Sequence, residues 1–227
     1  MKPEANEQER VFLEKEADEW FSRNYPHAPV AAPTDHAVLQ ALGAMELPPR
    51  GTLFDVGGGP GDLAAGFRRD HPGWSGRVLE ASQRAIAAGR AAFPDLEFIH
   101  GSISRPADFV ANPADVVVVS AVFHWVDRSV LAQAVANVDR ALREGGVLVV
   151  RDFDSPTLRA NPYHHHPGLF TYKQDYAKIF TALGTYHENS RKCEVVESAR
   201  DPGDPYDRQW VTVILRKDLF GRYYPGR

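Results

Sequence analysis

Leu53-Phe54-Asp55-Val56-Gly57-Gly58-Gly59-Pro60-Gly61-Asp62-Leu63-Ala64 is a short apolar run that ends in an acid, passes through alternate glycines and opens into helix-forming residues. The pattern predicts a buried strand, a loop almost without side chains, and a helix N-terminus. Glycine is needed where backbone takes positive φ or where a ligand approaches the chain closely. The helix N-terminus adds unpaired N–H donors and partial positive charge. Together these features predict a cradle for a nucleotide-like ligand.

Spacing narrows the choice. The dinucleotide fingerprint Gly-x-Gly-x-x-Gly uses its third glycine for close helix–strand packing. Counted from Gly57 that place is Asp62, and counted from Gly59 it is Ala64. The pattern is instead Asp-x-Gly-x-Gly-x-Gly from Asp55 to Gly61. It resembles the first motif of the class I S-adenosylmethionine-dependent methyltransferases at every signature position. In that family the glycine loop packs on the amino-acid part of the cofactor, and the acid receives hydrogen bonds from a cationic amine. The resemblance thus implies cofactor contacts at Asp55, Gly57, Gly59 and Gly61.

Gly76-Arg77-Val78-Leu79-Glu80 reads as a second strand that also ends in an acid. An acid there suits the two hydroxyls of a ribose, and the competing reading is a solvated carboxylate at a strand–helix junction. A third strand, Leu96 to His100, precedes Gly101-Ser102-Ile103. The family usually places an acid second in this triplet, accepting from the adenine amino group. Ser102 offers a hydroxyl instead, and the resemblance implies adenine contact at Ser102 and Ile103. Ala114 to Ser120 is a β-branched run of the kind found in a central parallel strand covered on both faces, with Ser120 expected beside the cofactor.

Ala121-Val122-Phe123-His124-Trp125-Val126-Asp127 follows. It resembles the segment after strand four in methyltransferases acting on small molecules, and differs from the Asn-Pro-Pro-Tyr type of the DNA and protein amide methylases. His124 is the candidate general base, since imidazole titrates near neutrality; the alternative is that it orients the acceptor by a hydrogen bond. Trp125 is read as packing or as an acceptor contact. A helix over roughly 128–143 is expected to end at the cap pair Gly145-Gly146, before a fifth strand at Val147 to Val150.

Two further strand patterns, 192–197 and 209–215, flank the turn-rich Asp201-Pro202-Gly203-Asp204-Pro205. The expected fold is α/β: a doubly wound, mostly parallel seven-stranded sheet with helices on both faces and an antiparallel C-terminal strand pair. Residues 1–47 form N-terminal helices, residues 48–227 the methyltransferase domain, and 152–191 a substrate-side insertion.

Those two flanking regions are expected to select the acceptor. Val11, Phe12, Ala17, Trp20 and Phe21 recur at helical spacing in a charged background. Packing on the sheet edge and a lid over the ligands are both open readings. In the insertion, Tyr172 and Tyr176 would share a face of a helix expected around 173–183, as core or as substrate wall. Arg191 and Lys192 are read either as contacts for an acidic acceptor or as exposed charges. His164-His165-His166 is read as a polar loop, because neighbouring side chains on regular structure point apart. Asp152 and Asp154 echo metal positions of catechol-type methyltransferases without evident partners, so no metal is expected.

Composition excludes other classes. The chain has 227 residues, 43% apolar and 25% charged, enough to bury one full core. Net charge is −4 with scattered basic residues, so nucleic acid is not an expected partner. No leader and no membrane-length apolar run is visible, which makes the cytoplasm the expected compartment. The single cysteine, Cys193, is read as a packed core thiol. Twenty arginines against six lysines point to a GC-rich bacterial genome. With the resemblance, this gives methyl transfer from S-adenosylmethionine to oxygen or nitrogen of a small molecule, in specialised metabolism. Two rivals are a nicotinamide-dependent oxidoreductase and a non-catalytic adenosyl- or partner-binding protein that kept the fold.

Overall fold

The computed structural model describes residues 7–26, 30–109, 112–195 and 209–222. Helix α1 (Glu7–Val11) runs through a π-helical turn (Phe12–Glu16) into α2 (Ala17–Asn24), and α3 (Ala37–Gly43) follows. Strands and helices then alternate: β1 (Gly51–Val56), α4 (Asp62–Asp70), β2 (Trp74–Glu80), α5 (Gln83–Ala92) and β3 (Glu97–His100). Next come β4 (Ala114–Ser120), α6 (Leu131–Ala141) and β5 (Leu142–Phe153). The C-terminal part holds β6 (Arg159–Pro162), β7 (Phe170–Lys173), α7 (Ala177–Ala182), β8 (Tyr186–Val195), β9 (Gln209–Lys217) and α8 (Leu219–Arg222).

The main sheet has seven strands in the order β3-β2-β1-β4-β5-β9-β8. The first five are parallel, and β9 runs antiparallel between β5 and β8. This is the expected doubly wound sheet with its antiparallel pair. Alternation along the central strands explains the two-sided burial. Val117 and Val119 join one core cluster with α6 and α7, while Val116 and Val118 join the other with α3, α4 and α5. A side chain points to the opposite face at each step along a strand, so a β-branched run fills both layers. Chain order reverses between β1 and β4, so the crevice for a ligand opens at their carboxyl ends.

Several local expectations are corrected. Helix α6 stops at Ala141 because Leu142 already pairs with Ala114; Gly145-Gly146 lies inside β5 and not at a helix cap. The register then jumps to Val116 opposite Val147, so residues 143–146 form a bulge in which Gly145 takes φ of 70°. Residues 170–173 are not helical. They pair antiparallel with 159–162 as a separate hairpin, and the helix begins only at Ala177. Tyr172 and Tyr176 therefore share no helical face. Cys193 is exposed on β8, an outer strand, with its Sγ 3.7 Å from Asp154 Oδ2. The expected sixth strand starts earlier, at Tyr186, and the turn at 201–205 lies outside the described residues.

Candidate active site

The glycine loop is shaped by its neighbours. Gly57, Gly59 and Gly61 take φ of 72°, 56° and 77°. A Cβ on Gly57 would come within 2.4 Å of Val122 Cγ2, because the segment after β4 folds directly over the loop. A Cβ on Gly61 would meet Leu96 and Phe98 at 2.9 Å, so this glycine lets α4 start against β3. The amides of Gly57 and Gly58 donate to the Leu79 carbonyl at 2.7 and 3.3 Å. Glu80 accepts from Gly59 N–H at 2.8 Å and from Ser82 N–H at 2.7 Å, bracing the loop to the end of β2. Asp62 stands in the first turn of α4 and accepts from the Tyr25 hydroxyl at 3.3 Å. The loop donors are consumed within the protein, so the loop presents no free anion-binding nest.

Beyond the strand ends lies a cavity of about 340 Å³. Asp55, Gly57, Gly59, Glu80, Ser102, Ile103 and Ser120 line it, together with Trp125. Its electrostatics are dominated by acids. Asp55 is 2% exposed, and its Oδ2 is buried with no hydrogen-bond partner. Burial, then Asp62 and Glu80 nearby, push the Asp55 carboxyl up to about 8. Burial raises Asp62 and Glu80 as well. An orphaned carboxylate beside two more acids is costly alone and becomes favourable when a cation pairs with it. This set of acceptors fits an ammonium group and opposes a pyrophosphate.

Other expected site residues lie elsewhere. Gly61 does not line the cavity and serves packing. His124 does not line it either. The 3-10 turn Phe123–Trp125 turns Trp125 to the cavity and His124 to Asp152, whose Oδ1 is 2.8 Å from His124 Nδ1. The buried imidazole packs on Phe153 and Trp125, each at a centroid distance of 4.9 Å. Tyr172 lies under the Arg128 guanidinium at 4.3 Å, and Tyr176, 1% exposed, stacks on Phe123 in the core. Arg191 sits on β8 and pairs with Asp175 at 3.0 Å and Glu188 at 2.9 Å. None of these three lines the cavity. Accordingly, His124→Ala should lower stability by about 2–4 kcal/mol, by leaving the buried Asp152 carboxylate with only the Phe153 and His124 backbone amides as partners. A melting curve reads this, and ligand affinity measured alongside should stay within about threefold of wild type.

Sequence reasoning missed others. His36 caps α3, its Nδ1 accepting from Val38 N–H at 3.2 Å, and it lines the cavity. That bond leaves the neutral ring with its hydrogen on Nε2, a donor and not a base. Burial, then Arg151, push its pKa down. Arg151, opposite Ser120 in the sheet, also lines the cavity; it pairs with Glu194 and lies 4.6 Å over Trp210. Its Nε is buried without a partner. Ala121 takes φ of 61°, alone among described non-glycine residues, at the turn that brings Val122 over Gly57. Glu9, Phe12 and Trp20 close the cavity from the N-terminal helices.

Residues 53–146 match the methyltransferase domain family. This stretch carries the glycine loop, Glu80, Ser102 and Trp125. Over these residues the chain is similar to a methyltransferase domain. Acetylserotonin O-methyltransferase of Mus musculus molossinus is 36% identical over 126 residues, covering 52% of this chain and 32% of that protein. The chain thus spans about a third of that relative's length. Among solved structures it resembles the 1,6-didemethyltoxoflavin-N1-methyltransferase of Burkholderia thailandensis, solved with 1,6-didemethyltoxoflavin and S-adenosylhomocysteine. The TM-score is 0.63 at 14% identity, over 96% of this chain and 93% of that one. The [4+2]-cyclase SpnF superposes with a TM-score of 0.65 at 14% identity, over 96% and 98%. These structural likenesses concern the fold of the methyltransferase domain and its flanking elements. Among the described residues no helix is long and apolar enough to cross a membrane.

Proposed function

We propose that the protein transfers a methyl group from S-adenosylmethionine to an oxygen or nitrogen of a small molecule. The observation that carries this reading is Asp55 Oδ2, buried without a partner among further acids at the end of β1. A cofactor with a cationic amine satisfies it. Glu80 would hold the ribose, Ser102 and Ile103 the adenine, and Gly57, Gly59 and Ser120 the methionine part. A nicotinamide dinucleotide would set its pyrophosphate against Asp55, Asp62 and Glu80, which disfavours the oxidoreductase rival.

When bound, the cofactor supplies a sulfonium methyl already activated for displacement. The chain's task is to align the acceptor and exclude water, and such alignment contributes up to about 7–11 kcal/mol. Helices α1 and α2 serve as the lid in this reading. Phe12, Trp20, Phe21 and Tyr25 give it an apolar inner face. It is tied down at both ends: Gln8 Nε2 donates to the Trp125 carbonyl at 2.7 Å, and Asp18 accepts from Ser82 Oγ at 2.6 Å. His36 and Arg151 supply donors at the acceptor end, beside the turn that follows β4. The curated relative is named for an O-methyl transfer and the toxoflavin enzyme for an N-methyl transfer, which supports a heteroatom acceptor of small size.

The test is transfer of labelled methyl from S-adenosylmethionine to pooled phenols, carboxylic acids and nitrogen heterocycles. Label entering an acceptor is the expected result, with Asp55→Asn inactive. Binding of the cofactor with no transfer to any pool would favour a non-transferring role, a reading made specific by the likeness to a cyclase.

A further inference from the structure

Ser102 stands where the family usually has an acid, yet the same end of the cavity does hold a carboxylate. Glu9, on α1, lines the cavity beside Gly101, Ser102 and Ser104. Its side chain is 14% exposed. One oxygen, Oε1, accepts from Ser104 Oγ and lies 3.6 Å from Arg105 Nε. Ser104 Oγ is in turn 2.9 Å from Ser102 Oγ. With Ser104 donating to Glu9, Ser102 donates to Ser104, so both hydroxyl hydrogens run towards the carboxylate. Asp108 does not line the cavity, and its Oδ2 accepts from Ser102 N–H at 2.8 Å. Glu9 Oε2 has no hydrogen-bond partner among the described residues.

We propose that Glu9 accepts the hydrogen bond from the cofactor's adenine amino group, and that this contact couples closure of the N-terminal helices to cofactor occupancy. The inference rests on the cofactor reading above. The acid missing after β3 is supplied from α1, across the cavity, with the Ser102–Ser104 pair relaying its position to the β3 end. Because Glu9 lies one residue from Gln8, which ties α1 to the turn carrying Trp125 and to the Phe170 carbonyl, a bond from adenine to Glu9 holds the same helix that closes the acceptor side. An empty adenine end would leave Glu9 with its serine and arginine partners only, and the lid with one anchor fewer.

The test compares S-adenosylhomocysteine with its 6-deamino purine analogue by calorimetry, on the full chain. Wild type should bind the deamino analogue about tenfold to a hundredfold more weakly, as expected for loss of a hydrogen bond to a charged acceptor. In Glu9→Ala that preference should collapse, the two ligands binding within about twofold of each other; Glu9→Gln, which keeps an acceptor oxygen, should retain part of it. Protease cleavage within residues 7–24 should be slowed by S-adenosylhomocysteine in wild type, and much less so in Glu9→Ala. A loss of affinity in Glu9→Ala equal for both ligands would make Glu9 a structural residue and overturn the proposal. So would a wild type that does not distinguish them. Failure of wild type to bind S-adenosylhomocysteine at all would instead strike the cofactor reading itself.

Discussion

Replacing Asp55 with asparagine weakens S-adenosylhomocysteine binding by roughly 10²- to 10³-fold, the effect of removing one partner of a buried charge pair. The same change flattens the pH dependence of the ligand-free protein. Burial pushes the folded Asp55 carboxyl from its ordinary 3.8 up to about 8, so the folded state holds this proton more tightly than the unfolded chain. Stability from this group is therefore full below about pH 4 and is lost as pH rises towards about 8, with a slope of up to about 1.4 kcal/mol per pH unit. Denaturant titrations of wild type and Asp55→Asn from pH 5 to 9 should diverge, with the variant gaining on wild type as pH rises. Cofactor affinity runs the other way. A cation pairs with the ionised acid, so wild-type binding strengthens up to about pH 8 and releases a proton below it. Parallel stability curves, or an affinity indifferent to Asp55, would contradict the role assigned to that side chain.

Glu80→Ala carries the second large effect, about 10²-fold in affinity together with a loss of stability of about 2–4 kcal/mol. Both of its oxygens are in use, on Gly59 N–H and on Ser82 N–H, before any ligand arrives. Removing the side chain strands two backbone donors and leaves the glycine loop tied to β2 through the Leu79 carbonyl alone. The two acids are separated by using adenosine, which lacks the amino-acid part. Adenosine binding should fall in Glu80→Ala and stay near wild type in Asp55→Asn, whereas S-adenosylhomocysteine binding should fall in both. Equal losses for both ligands in both variants would mean that neither acid has the position assigned to it.

The central half of the molecule was legible because its physics is local. A glycine loop after a strand, an acid at a strand end and a β-branched run covered on both faces each follow from backbone sterics and burial. The acceptor side was not legible because its determinants are not local. Tyr172 and Tyr176 have helical spacing, but 159–162 offers a pairing strand that claims 170–173 first. His124 has the right place in the chain for a base, and a buried acid 28 residues later turns it away from the cavity. His36 has no local signal for a site; it caps α3, and only the packing of that helix sets it against the cavity. Arg151 follows the apolar run 147–150 within β5, and only the pairing of β4 with β5 sets it beside Ser120. The positive φ of Ala121 carries no composition signal at all.

The most direct test of the central claim is a calorimetric titration of the purified chain with S-adenosylhomocysteine and, in parallel, NADH. The acid-lined cavity predicts micromolar binding of the sulfur ligand, with proton release at pH 7, and no binding of the dinucleotide. Binding of NADH, or of neither ligand, would contradict it.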